Sequence, residues 1–125
     1  MVQVAVAIIK KNNSILACQR KKTASYSLLW EFPGGKIETN ETLQQCLWRE
    51  LKEELSIDAV VGEEIYSHTW VYPDAGKFEV HYFIVNSYIG TEKNNVFEQI
   101  RWITIDELDS VNFLEGNREV IQGQF

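Results

Sequence analysis

Gly34 to Ile57 reads GGKIETNETLQQCLWRELKEELSI, and five of these residues are glutamates. Three of them, Glu50, Glu53 and Glu54, fall within five positions of one another. On an α-helix at about 100° per residue, Glu53 and Glu54 lie i+3 and i+4 from Glu50, so all three carboxylates share one face. Like charges placed so close repel by a few tenths of a kcal/mol per pair. Either solvent screens such a face or a cation sits among the carboxylates, and hard oxygen donors suit Mg²⁺ or Mn²⁺. Glu50, Glu53 and Glu54 are therefore candidate metal ligands.

The flanks of the segment agree with a helix. Thr42 followed by Gln45 fits a capping box, with Thr42 as N-cap. Leu43, Leu47 and Leu51 recur every four residues, with Cys46 and Leu55 near the same stripe, so that face can pack on a core while the glutamates look away. Ahead of the helix, Phe32-Pro33-Gly34-Gly35-Lys36 predicts a tight loop. Pro33 fixes φ, and the glycines let the backbone turn sharply and approach a ligand closely. A loop with free backbone groups, a lysine and then a carboxylate-bearing helix can hold a metal ion and its polyphosphate together.

Composition sets the bounds. At 125 residues the chain is expected to be one domain, 1–125, able to bury roughly two-thirds of its unfolded surface. A hydrophobic fraction of 45% is ample for a core. No run of 18 apolar residues occurs and the N-terminus lacks a charged-then-apolar leader, so neither a membrane nor an exported setting is expected, and a cytoplasmic one fits. Cys18 and Cys46 make no CxxC and read as small buried hydrophobes. The net charge of −6 argues against binding duplex nucleic acid, whose affinity comes largely from neutralised phosphates. Small phosphate compounds stay open, because a metal carries the positive charge locally.

Along the chain, Val2 to Ile9 is nearly unbroken apolar sequence and reads as a strand buried on both faces. Residues 10–14 predict a hairpin turn and Ile15 to Gln19 the returning strand. Ala59 to Tyr72 and Phe78 to Tyr88 read as two long strands joined by the turn Tyr72-Pro73-Asp74-Ala75-Gly76-Lys77. Ile100 to Ile103 predicts a short strand, Ile105 to Leu108 a brief helix, and Glu115 to Gln122 a terminal helix stopped by Gly123. His68 and His81 lie in strands and read as structural. By residue type alone, Asn117 also suits the N-cap of a helix beginning at Arg118, and Glu98 reads equally well as a surface glutamate.

From Gly35 the spacing is five residues to Glu41, seven more to Arg49-Glu50-Leu51-Lys52-Glu53-Glu54, then Leu55-Ser56-Ile57. Over 35–57 this resembles the Nudix box, G-x5-E-x7-R-E-U-x-E-E-x-G-U with U aliphatic, and departs only where Ser56 replaces a glycine. That glycine ends the helix in the left-handed region, so serine is expected to strain the cap without removing a ligand. Trp30 to Glu38, the Tyr72-Pro73-Asp74 turn and Glu115 to Ile121 are similar to the MutT-like branch of the family. The resemblance implies an α/β fold, a mixed β-sheet sandwiched between helices. It also implies Mg²⁺-dependent hydrolysis of nucleoside triphosphates to monophosphate and pyrophosphate, with Mn²⁺ able to substitute. The expected substrate is an oxidised nucleotide such as 8-oxo-dGTP. The alternatives are CTP or dCTP, or a domain that senses a nucleotide without turning it over.

Residue by residue, the resemblance makes Glu50, Glu53 and Glu54 metal ligands, joined by the carbonyl of Gly34. Glu53, Glu50 or Glu98 would take the proton from the attacking water, and Lys36 would neutralise phosphate. Gly35, Glu41 and Arg49 would hold the box together. Arg20, Phe32, Phe78 and Asn117 would form the base pocket. A monomer or weak dimer is expected.

Overall fold

Val2–Lys11 forms the central strand β1, and Ala5 to Ile9 are all buried, as the apolar run predicts. The structure, a computed structural model, describes residues 1–125. After β1 come β2 (Ser14–Gln19), β3 (Trp30–Glu31), β4 (Gly34–Lys36), α1 (Leu43–Leu55), β5 (Asp58–Val60) and β6 (Glu64–Tyr72). β7 (Gly76–Val85), β8 (Ser87–Ile89), β9 (Gln99–Thr104), a 3₁₀ turn at Ile105–Ser110 and α2 (Glu115–Gln124) complete the chain. Seven strands make one mixed sheet in the order β3-β2-β1-β7-β6, with β4 also paired to β1 and β9 to β2. β1 and β7 run parallel over Val2–Ile9 and Phe78–Val85, whereas β4 pairs antiparallel with Val4 to Val6.

Alternation along β1 divides the core into two layers. Ala5, Ala7 and Ile9 face α1 and pack with Leu47, Leu51 and Leu55, while Val6 and Ile8 face Val120 and Ile121 of α2. Each of those leucines is fully buried, worth roughly 1.5–3 kcal/mol of transfer free energy. The sandwich of a mixed sheet between helices is thus present. Thr42 caps α1 through a complete capping box with Gln45, as its spacing predicts.

Three local expectations are corrected. The segment 59–72 is two strands, β5 and β6, and in the 61–63 link between them Gly62 donates its N–H to Ile84 O at 2.9 Å. A Cβ at Gly62 would stand 2.9 Å from that same oxygen. The strand expected over 78–88 breaks at Asn86, so β5 and β8 pair as a separate two-stranded sheet. The terminal helix passes Gly123 and ends at Gln124, because a glycine in an exposed last turn costs at most about 1 kcal/mol and breaks nothing.

Ser56 takes the left-handed conformation at φ 58° and ψ 33°. The loop before β9 compensates. Ser56 N–H bonds Lys52 O, Asn95 Nδ2 donates to Glu53 O at 3.0 Å and to Ser56 Oγ at 2.8 Å, Asn95 N–H bonds Glu54 O, and Lys93 N–H bonds Leu55 O. All four terminal carbonyls of α1 are therefore satisfied.

Candidate active site

The glycine loop and α1 meet edge to face. Gly35 sits on β4 directly beneath Glu50, so close that a Cβ there would lie 2.4–2.7 Å from the Glu50 carboxyl atoms. Gly34 has φ 156°, and a Cβ on it would collide with Ala5 O at 2.1 Å. The two glycines let the helix carboxylates rest against the loop backbone. Gly34 N–H donates to Glu54 Oε1 at 3.2 Å, so the loop contributes a fixed dipole to the glutamate face.

Arg49 organises the outer side. Its Nε and Nη2 donate to the two oxygens of Glu41 at 2.6 and 2.9 Å, its Nη1 to Glu50 Oε1 at 2.8 Å, and its Nη2 also to Lys36 O. A fork that binds two carboxylates and a loop carbonyl ties β4, the 37–42 segment and α1 into one unit. The hydrogen bond from Arg49 and the Glu38 N–H hold Glu41 down to about 2. Glu50 moves the other way, raised by burial against the opposing pull of Arg49.

Glu54 is the most perturbed carboxylate of the three. Burial, then the charges of Glu50 and Glu31, push it up to about 9. Three carboxylates on one helix face, one of them starved of solvation, are the oxygen donors a hard divalent cation takes, since the cation supplies the charge the buried site lacks. In this structure Glu50 and Glu53 share Arg49 Nη1, Glu54 accepts the Gly34 N–H, and no group of three stands in a ready-made metal-holding arrangement. Glu53 is the freest, with its side chain 59% exposed and only Arg49 Nη1 at 3.5 Å. Glu98 Oε1 accepts the Lys22 N–H at 3.2 Å.

Beside the glutamates opens a cleft of about 340 Å³ lined by Arg20, Phe32, Gly34, Gly35, Lys36, Phe78 and Asn117 together with Glu31, Tyr72 and Tyr82. Its size is that of a small-ligand site. Lys36 Nζ lies 5.7 Å from the centre of the Phe78 ring at the lip. Arg20 is committed within the wall, donating to Glu31 at 3.1 Å and to Ser25 O at 2.7 Å. Phe32 is buried against Phe113. Asn117 is not a helix cap, because α2 begins earlier with Leu114 as its N-cap. It is the buried polar residue of the fold, with Oδ1 accepting Phe32 N–H and Nδ2 donating to Tyr82 Oη, both at 3.2 Å.

Two lining residues escape a reading by motif. Tyr82 was detectable, since Phe78, Val80 and Tyr82 alternate onto one face of β7 and Phe78 already pointed to the cleft. Glu31 carried a weaker signal, a lone acid between Trp30 and Phe32. Burial raises it despite the Arg20 charge.

A model of the NUDIX domain matches residues 1–124. CTP pyrophosphohydrolase of Escherichia coli K12 is 37% identical over 108 residues, 86% of this chain and 78% of that protein. The 8-oxo-dGTP diphosphatase of Haemophilus influenzae is 31% identical over 122 residues, 97% of this chain and 89% of that one. The solution structure of the E. coli ORF135 protein superposes with a TM-score of 0.87 at 32% identity, covering 98% of this chain and 86% of that chain. The crystal structure of a MutT NUDIX hydrolase from Burkholderia pseudomallei reaches 0.90 at 20% identity, covering 99% and 98%, a likeness of fold.

Proposed function

The chain belongs to the Nudix hydrolase family, and on that footing we propose that it cleaves nucleoside triphosphates to monophosphate and pyrophosphate, with oxidised purine nucleotides such as 8-oxo-dGTP as its substrates. The family works with divalent metal ions; for this chain we take the ion to be Mg²⁺, with Mn²⁺ as a substitute. Glu50, Glu53 and Glu54 would hold it, with the carbonyl of Gly34. When bound, the ion neutralises phosphate charge and lowers the pKa of water. Glu53, exposed and weakly paired, is the carboxylate free to accept the proton of the attacking water. Lys36 at the lip meets phosphate charge, and Arg49 keeps Glu50 in register with the loop.

The observation that carries the choice of base is Asn117. Its amide spends one N–H and one lone pair on the protein and keeps one of each, a donor and an acceptor side by side. That pairing suits a purine edge such as that of 8-oxoguanine. A second reading, hydrolysis of CTP or dCTP, is favoured by one fact: of the two curated relatives named, the one acting on CTP shares the larger identity.

The test is pyrophosphate release from 8-oxo-dGTP, dGTP, CTP, dCTP and ATP, with AMP release from ADP-ribose alongside, with Mg²⁺ and with Mn²⁺, compared by kcat/KM. Preference for 8-oxo-dGTP supports the first reading and preference for cytidine nucleotides the second. Nucleotide binding without turnover would leave a sensor domain.

A further inference from the structure

Tyr82 lies at the floor of the cleft, fully buried, and its hydroxyl has three polar neighbours. It donates its single proton to Gly116 O at 3.0 Å and accepts from Asn117 Nδ2 at 3.2 Å. His68 Nε2 stands 3.1 Å away. Behind His68, Nδ1 meets Glu119 Oε2 at 2.9 Å, and the other Glu119 oxygen accepts from Tyr66. A chain of hydrogen bonds thus runs from Glu119 on α2, through His68 on β6 and Tyr82 on β7, to Asn117 back on α2.

The far end of the chain fixes which way the Asn117 amide faces. Phe32 N–H can only donate, so Oδ1 must lie toward it, and Nδ2 is left to find an acceptor. Tyr82 Oη supplies that acceptor because its own proton is spent elsewhere. An amide held at one atom turns about a broad, roughly two-fold torsion, whereas one held at both atoms does not. We propose that Tyr82, backed by His68, is a positioning residue for base discrimination, pinning the Asn117 amide so that its spare donor and acceptor meet the nucleobase in one order. The proposal rests on the reading of Asn117 as the group that meets the base.

The experiment measures kcat/KM across the nucleotide panel for Tyr82→Phe, Asn117→Ala and the double variant. Tyr82→Phe keeps the buried ring and removes only the hydroxyl, which takes away the acceptor for Asn117 Nδ2 together with the bond to Gly116 O. The ratio between the favoured nucleotide and the others should fall about tenfold, the size of one lost buried hydrogen bond, and the double variant should fall no further than Asn117→Ala. A uniform loss across the panel, or additive effects in the double variant, would overturn the proposal. Folding is checked by circular dichroism. Should Tyr82→Phe fail to fold, His68→Gln, whose amide can bond the Tyr82 hydroxyl as donor or acceptor, should retain the ratio, while His68→Leu should lower it; equal ratios in the two overturn the proposal. An unchanged ratio in Asn117→Ala refutes the base-reading role itself and the proposal with it. A changed ratio there beside an unchanged one in Tyr82→Phe refutes only the role of Tyr82. If the wild type turns over none of the triphosphates, the same ratios are read from the Kd values of the nucleoside monophosphates by calorimetry.

Discussion

Gly35→Ala isolates the contact between loop and helix that the site is built on. Gly35 carries no left-handed φ, so alanine is allowed by its backbone. The new methyl carbon would lie 2.4 Å from Glu50 Cδ and 2.6 and 2.7 Å from its two oxygens. Ordinary van der Waals contact begins near 3.4 Å, so the carboxylate must withdraw by about 1 Å. A displacement of that size at a reacting centre costs about 10²-fold in rate. Pyrophosphate release should therefore show kcat down by about two orders of magnitude, with the metal concentration for half-maximal activity raised. Glu50→Asp in the same background, one methylene shorter, should recover part of the loss. Far-UV circular dichroism should report a folded chain, because the clash lies with a side-chain end that can move. Activity within threefold of wild type and an unchanged metal titration would refute the claim that Gly35 sets the position of Glu50.

Glu53→Gln should cut turnover by about 10²–10⁴ while leaving thermal stability intact, and retained activity would shift the proton-accepting role to another carboxylate. Arg49→Lys should lower kcat about tenfold, since one ammonium cannot serve Glu41, Glu50 and Lys36 O together; wild-type kinetics would show the fork to be dispensable. Glu41 is held down to about 2 in the folded state, so ionised Glu41 stabilises the fold at pH values above its unfolded pKa, near 4.5. The Tm gap between wild type and Glu41→Gln should thus be full above pH 4.5 and close as pH falls toward 2; a gap that widens on acidification would reverse the assignment. Asn95→Ala should destabilise by about 1–3 kcal/mol in urea unfolding, because it removes both side-chain bonds at the end of α1. An unchanged unfolding midpoint would show that solvent replaces those bonds freely.

Much of the glutamate face was legible from the sequence, because it is local. Capping at Thr42, the leucine stripe and the i, i+3, i+4 placement of Glu50, Glu53 and Glu54 all follow from helix periodicity within one segment. The long strands were visible as apolar runs, but their interruptions at 61–63 and Asn86 were not. Those show only in the pairing across elements, where Gly62 bonds Ile84 and β5 pairs with β8 as a separate sheet. Asn117 shows the same division: its residue type suits a helix cap, and only the start of α2 at Glu115 rules that out.

The cleft beside the glutamates was beyond any local reading. It gathers Arg20, Phe32, Phe78 and Asn117 only because β1 takes β4 on one edge and a parallel β7 on the other, with α2 laid across the same face. Tyr82 and Asn117 are 35 residues apart in sequence, and Phe32 and Asn117 are 85 apart. Sequence determined the chemistry on the helix, since spacing along one element dictates which side chains share a face. Tertiary structure decided which donors and acceptors meet across elements, because pairing order and packing, not spacing, bring those groups within hydrogen-bonding distance.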